Sequence, residues 1–196
     1  MNNKMQKGFT LVELLIVIAI LAVLSVTVVV VLNPAELLKQ ARDSTRISDL
    51  ASVNSAIALY LTDVGTPYLG GPSTACSSAT SRCTVATTSP FTATGNGCTS
   101  GTANATTTVD GNGWVAVTLS SITGGSPLAR LPIDPINSGN QFYGYACGTG
   151  SALSYELNTN MESSKYSNGG SSDVEANTKD GGTNNLIYEV GNNLSQ

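Results

Sequence analysis

The sequence predicts an α+β chain: a long N-terminal α-helix, transmembrane and then amphipathic, packed on a small antiparallel β-sheet. Three observations predict it. Between Phe9 and Leu32 the only charged side chain is Glu13. From Ile47 to Val64, apolar residues return at spacings of three and four. After Gly113, short β-branched and aromatic runs alternate with turn formers. The organisation that follows is a leading stretch at 1–8, a transmembrane helix at 9–32 and the amphipathic half of the long helix at 33–64. A Ser/Thr/Gly-rich loop region covers 65–113, and a β-rich globular domain covers 114–196.

The first helix comes from the apolar run. Phe9 to Leu32 would extend roughly 36 Å as a helix, enough to cross a hydrocarbon core of roughly 30 Å. Lys4 and Lys7 precede it, which leaves the first eight residues in the cytoplasm by the positive-inside rule. Glu13 is the anomaly, because an acid inside a membrane helix costs ~2.5–3.5 kcal/mol near its centre. A cleaved secretory signal would need a shorter apolar region followed by small residues, and VVVVLNPAELL offers few. A plain signal anchor fits length and charge but leaves Glu13 unexplained. A cut between Gly8 and Phe9 supplies a partner: the new amino group lies about one turn, ~6 Å, from Glu13. A carboxylate there is favoured by the helix dipole and by the ammonium. The pair could form within one chain or between neighbouring helices, where it would set their register.

Lys7-Gly8-Phe9-Thr10-Leu11-Val12-Glu13-Leu14 resembles the cleavage and methylation motif of type IV pilins and of the pseudopilins of type II secretion. The resemblance implies that residues 1–8 are a leader removed by a membrane prepilin peptidase. The same enzyme would methylate Phe9, giving N-methylphenylalanine. Glu13 would then recognise the amino terminus of a neighbouring subunit during assembly.

Asn33-Pro34-Ala35-Glu36 interrupts the apolar run with a favoured N-cap, a favoured first helical residue and an acid three positions on. Either a fresh helix begins there or one helix bends where Pro34 removes a hydrogen bond. The resemblance favours a single long curved helix with a weak point at Pro34 that opens on assembly. Beyond it, Ile47, Leu50, Val53, Ile57, Leu61 and Val64 form the face that packs on the globular domain. Lys39, Arg42, Asp43, Arg46 and Asp49 collect on another face. They are either a solvated helix side, or a set in which Arg42 and Arg46 pair with acids of adjacent subunits. Gly65-Thr66-Pro67 stops the helix.

The loop region from Gly70 to Gly113 carries only Arg82 and Asp110 as charges and has no sustained helical spacing. Short strands and disulfides are expected in it. The four cysteines, Cys76, Cys83, Cys98 and Cys147, include no C-x-x-C pair, which points to cross-links in an oxidising compartment rather than a metal or redox site. They allow three connectivities; the short CSSATSRC loop favours Cys76 with Cys83, leaving Cys98 for Cys147. After Gly113, strands are expected over Trp114–Leu119, Phe142–Cys147, Leu153–Leu157 and Leu186–Val190, with a hairpin at Gly148-Thr149-Gly150. LPIDP at 131–135 is a rigid turn.

LPIDP, then FYGY at 142–145, then YEL at 155–157, resembles the order seen in G-type major pseudopilins and related pilins. The Ser/Thr-rich insertion departs from that compact pattern, and the C-terminal cysteine pair of many type IV pilins is missing. G-type pseudopilins bind calcium in a late loop, which makes Asp173, Glu175 and Asp180 candidate oxygen ligands here. No other cofactor is expected.

Composition bounds the function. The net charge is −4 and only 11% of residues are charged, which argues against nucleic acid or acidic lipid as the main partner through bulk electrostatics. Histidine is absent, so Ser-His-Asp and Cys-His nucleophiles and His-ligated metal centres are excluded, and no catalytic residue is nominated. The resemblance implies a structural subunit of a type IV pilus-like filament, or alternatively the major pseudopilin of a type II secretion system driving protein export. Its partners would be copies of itself in a helical filament, the peptidase and methylase, an assembly ATPase and platform proteins. Membrane lipid would surround it before assembly. It would sit in the cytoplasmic (inner) membrane of a bacterium and then in a surface or envelope filament. The alternative from another class is a membrane-anchored extracytoplasmic binding domain or enzyme.

Overall fold

A computed structural model describes residues 8–76, 80–85, 103–148 and 153–194. The leader residues 1–7, Cys98 and the hairpin turn at Thr149 and Gly150 lie outside the described residues. The chain divides into two units, one ending at Leu38 and one beginning at Lys39.

In the first unit, α1 (Leu11–Leu32) has Leu, Ile, Val and Ala on every side, and none of its residues is buried. Its two hydroxyls are satisfied within the helix. Ser25 Oγ donates to the Leu21 carbonyl at 2.7 Å and Thr27 Oγ1 to that of Leu24 at 2.8 Å. A helix with no unpaired side-chain donor and no polar face is built for an apolar surrounding. It ends at Asn33, which adopts the left-handed conformation (φ 38°, ψ 73°) that Asn tolerates better than most residues. α2 (Pro34–Asp63) starts at the next residue, and the Asn33 carbonyl accepts the N–H groups of Glu36 (2.9 Å) and Leu37 (3.3 Å). The helical run from Leu11 to Asp63 is therefore interrupted once, at Asn33. Pro34 takes the first helical position, where its missing donor costs nothing.

In the second unit, α2 turns Leu50, Val53, Ala56, Ile57 and Tyr60 into the core, as the spacing predicts, while Ile47, Leu61 and Val64 are half-buried. The sheet is an antiparallel meander of β1 (Thr80–Cys83), β2 (Gly144–Cys147), β3 (Tyr155–Thr159) and β4 (Tyr188–Gly191). The last three strands each begin two residues later than the composition suggests. Register puts Tyr145 opposite Leu157 and Cys147 opposite Tyr155. These side chains share one sheet face and pack with the α2 residues in a single apolar core.

Two expectations fail. Trp114 to Leu119 forms no strand, although Trp114, Val115, Ala116, Val117 and Leu119 are all fully buried. The Trp114 N–H donates to the Thr106 carbonyl (3.0 Å) and its indole to that of Pro132 (2.8 Å), and Leu119–Ser121 makes a 3-10 turn. With neighbours buried on both sides there is no alternation to seat this run on a sheet face, so it is apolar because it is enclosed, not because it is pleated. The disulfide pairing also differs. Cys76 is bonded to Cys147, with Cα atoms 6.1 Å apart, not to Cys83. The reason lies in the sheet: β1 pairs antiparallel with β2 so that Thr80 faces Cys147, which carries the chain just before β1 to the end of β2. Cys83 is itself disulfide-bonded.

Candidate processing and assembly site

Gly8 and Phe9 lie in irregular backbone ahead of α1. Phe9 is 91% exposed, and a Cβ built on Gly8 would meet nothing within 4 Å beyond its chain neighbours. Among the described residues, nothing packs against the peptide bond between them. Thr10 is the N-cap of α1, in extended conformation. Its Oγ1 accepts the Glu13 N–H at 3.2 Å, while Glu13 Oε2 accepts both the Thr10 N–H and the Thr10 hydroxyl at 2.8 Å. Glu13 thus closes a capping box, satisfying amide donors that a helix start leaves without intrahelical partners. A new ammonium at Phe9 is therefore not the only partner open to this acid. Thr-x-x-Glu, spelled by Thr10 to Glu13, was the local signal for the second partner.

On the charged face of α2, Arg42, Asp43 and Arg46 pair within their own chain, where a solvated side or pairing of Arg42 and Arg46 with adjacent subunits was expected. Asp43 and Arg46 are fully buried, and Arg46 is bound by three carboxylates of its own chain. Its Nη1 reaches Asp43 Oδ1 at 2.7 Å and Glu162 Oε1 at 2.5 Å. Its Nε and Nη2 bracket Asp134 at 2.5 and 3.0 Å. Arg42 makes a second two-pronged pair with Glu162, at 2.9 and 2.7 Å. Remaining lone pairs are filled by backbone. The Ile136 and Asn137 amides donate to Asp134, and the Glu162 and Ser163 amides to Asp43. Burial works against the Arg46 charge, but the hydrogen bonds and charges of Asp134, Glu162 and Asp43 outweigh it and raise its pKa above the ordinary arginine value. The Arg42 hydrogen bond, with Arg46 adding to it, holds Glu162 below the usual carboxylate range.

The three motifs at 131–157 meet α2 at successive points. Asp134 of LPIDP takes Arg46. Tyr143 of FYGY donates its hydroxyl to Asp49 at 2.7 Å. Tyr155 of YEL donates to Asn54 Oδ1 at 2.7 Å. These residues are fasteners between helix and sheet.

Asp173, Glu175 and Asp180 are engaged separately. Asp173 accepts the amides of Gly169, Glu175 and Ala176. Glu175 accepts those of Met161 and Asn168, and Asp180 those of Gly182 and Glu189. Each of their carboxylate oxygens thus already faces a backbone donor. Among the described residues, no group of three or more acids or cysteines is arranged to hold a metal ion.

An unburied apolar helix that opens on a carboxylate-closed cap, and an α+β domain of helix on meander, define a pilin-like chain. Residues 3–29 match the prokaryotic N-terminal methylation motif. The chain therefore carries the cleavage and methylation signature of the type IV pilin and pseudopilin family, whose members are structural subunits and substrates of a prepilin peptidase. No curated protein and no solved structure matches it.

Proposed function

We propose that this chain is a structural subunit of a type IV pilus-like filament. It inserts in the cytoplasmic membrane through α1, is cut after Gly8, is methylated on Phe9, and polymerises by packing α1 against the same helix of other copies. The observation that carries the reading is α1 itself: apolar all round, buried nowhere in the monomer, and preceded by the Gly8–Phe9 bond inside the methylation motif. Such a surface suits lipid and the centre of a helical bundle equally, so one segment serves both stages. A copy stripped of its leader presents an ammonium at Phe9, and the Glu13 of a neighbour is the charge of opposite sign in the same apolar layer.

A second reading is favoured by one observation. LPIDP, FYGY and YEL stand in the order of G-type pseudopilins and are used here to fasten helix to sheet. On that reading the filament is the piston of a secretion system. The Ser/Thr-rich region instead suits a fibre exposed outside the cell.

Mass spectrometry of the mature protein tests the shared core of both readings. The expected amino terminus is N-methylated Phe9, and a mature chain retaining residues 1–8 overturns them. Glu13→Ala is expected to insert and be cleaved but to enter filaments poorly, with yield reduced at least tenfold. Unaltered yield removes the assembly role of that carboxylate.

A further inference from the structure

Between α2 and the segment 128–133 lies a cleft of about 530 Å³, within the size range of small-molecule sites. Asp49 lines it from α2. Leu128, Leu131, Pro132 and Ile133 give it an apolar wall, and Arg130 stands among them. That wall is held from behind. The Leu131 N–H donates to the Thr107 carbonyl at 2.8 Å, the Trp114 indole to that of Pro132 at 2.8 Å, and Asp134 is bound to Arg46. The cleft is therefore preformed, which spares a ligand the cost of ordering it. Asp49 is half-buried, and its Oδ2 accepts the Tyr143 hydroxyl at 2.7 Å. Among the described residues no other donor reaches this carboxylate. Burial pushes its pKa up, against the pull of the Tyr143 hydrogen bond and with a smaller push from the Asp134 charge. It is an anion short of compensation. Arg130 is exposed and forms no ion pair among the described residues. Two opposite charges thus line one cleft without meeting each other.

A bare cation entering this cleft is drawn by Asp49 and repelled by Arg130, and a bare anion meets the reverse. A solute carrying both charges satisfies both, and its apolar part can be buried against Leu128, Leu131, Pro132 and Ile133. We propose that the cleft binds a small zwitterion with an apolar side chain, of amino-acid to dipeptide size, its ammonium on Asp49 and its carboxylate on Arg130. Asp49 and Arg130 select for the two charges together, and the apolar wall selects the side chain. The site lies wholly within the second unit, and its occupation is independent of whether the chain forms a filament.

The test is titration of the full-length protein in detergent, followed by calorimetry and by the emission of Trp114, the one tryptophan in the chain. Trp114 is fully buried and bonded to Pro132 of the wall. Its ring centroid lies 5.7 Å from that of Tyr143, whose hydroxyl holds Asp49. The probes are leucyl-leucine, N-acetyl-leucyl-leucine, which lacks the ammonium, and leucyl-leucinamide, which lacks the carboxylate. Leucyl-leucine is expected to bind with a Kd of about 1 mM or lower, and each blocked form roughly tenfold more weakly. Asp49→Asn keeps an acceptor for the Tyr143 hydroxyl and should weaken leucyl-leucine binding by roughly tenfold or more. Arg130→Ala, at an exposed position, should bind leucyl-leucine no better than the wild type binds the amide. Neither heat nor emission change up to about 20 mM leucyl-leucine overturns the proposal. So does equal binding of the three probes, or wild-type affinity in Asp49→Asn. Trp114 emission that shifts with protein concentration alone, and no longer does so in Arg130→Ala, overturns it too, because a second copy would then fill the cleft. Should Asp49→Asn fail to fold, Arg130→Ala and the blocked probes decide.

Discussion

Arg46 shows how one side chain can hold distant parts of a chain together. It is enclosed completely, yet each of its three guanidinium nitrogens meets a carboxylate, and Asp43 and Asp134 also accept backbone amides. Such a cluster adds little over a well-packed apolar one, because desolvation offsets most of the attraction. Removing one member is different, since buried charge is then left uncompensated. Arg46→Ala should cost about 3–5 kcal/mol, a large share of the roughly 5–15 kcal/mol that holds most domains together. Chemical denaturation of the full chain in detergent measures it, and a loss below about 1 kcal/mol would mean that water or rearrangement has replaced the guanidinium. That Arg46 shares a helix face with Arg42 and Asp43 was legible in their spacing, which left a solvated side and a paired one both open. Its direction was not. Asp134 and Glu162 lie 88 and 116 residues further along the chain, and nothing local distinguishes them from the other acids.

Helices and strands were differently legible. α1 and the core face of α2 follow from short-range periodicity, while at Asn33-Pro34 the residue preferences left a fresh helix and a bent one both open, and the left-handed Asn33 decides for an interruption. β2, β3 and β4 were located to within two residues because β-branched and aromatic runs mark them, whereas β1, TSRC, has no such run and was not placed, and Trp114 to Leu119 carries the marking composition and is irregular. Burial explains its residues as well as pleating would, and sequence pattern alone does not separate the two. The disulfide belongs to this scale as well, because it joins the segment before β1 to the end of β2 across a separation of 71 residues. Cys147→Ser should destabilise the second unit by about 2–5 kcal/mol, read as a lower thermal midpoint, and reduction of the wild type should reproduce the loss. A midpoint unaffected by either change would show that hydrogen bonding in the β1–β2 ladder suffices.

At the scale of the whole molecule, the acids divide into two groups of opposite sign. Glu162 sits below its ordinary 4.5 because of the Arg42 and Arg46 hydrogen bonds, so its contribution is present above that value and lost as pH falls below it. Glu175, Asp180 and Glu189 are pushed up, by burial before any other cause, so theirs declines as pH rises from the ordinary carboxylate range toward neutrality. The thermal midpoint of the full-length protein should therefore peak near pH 5 and fall on both sides. A steady climb to pH 7 would contradict the assignment of the raised group.

What the sequence by itself determined is everything that neighbouring residues decide among themselves: an apolar segment of spanning length, a cleavage motif at its head, a capped start, a break at a proline, and a face of apolar residues along α2. These depend on interactions within a helical turn or two, which the order of residues states directly. Only the tertiary structure decided which acids receive Arg46, which cysteine meets Cys76, and that Glu156 and Glu189 on adjacent strands are buried on one sheet face. Those outcomes turn on where far-separated segments meet in space. Side chains of the same type are interchangeable until packing gives each one a single set of neighbours.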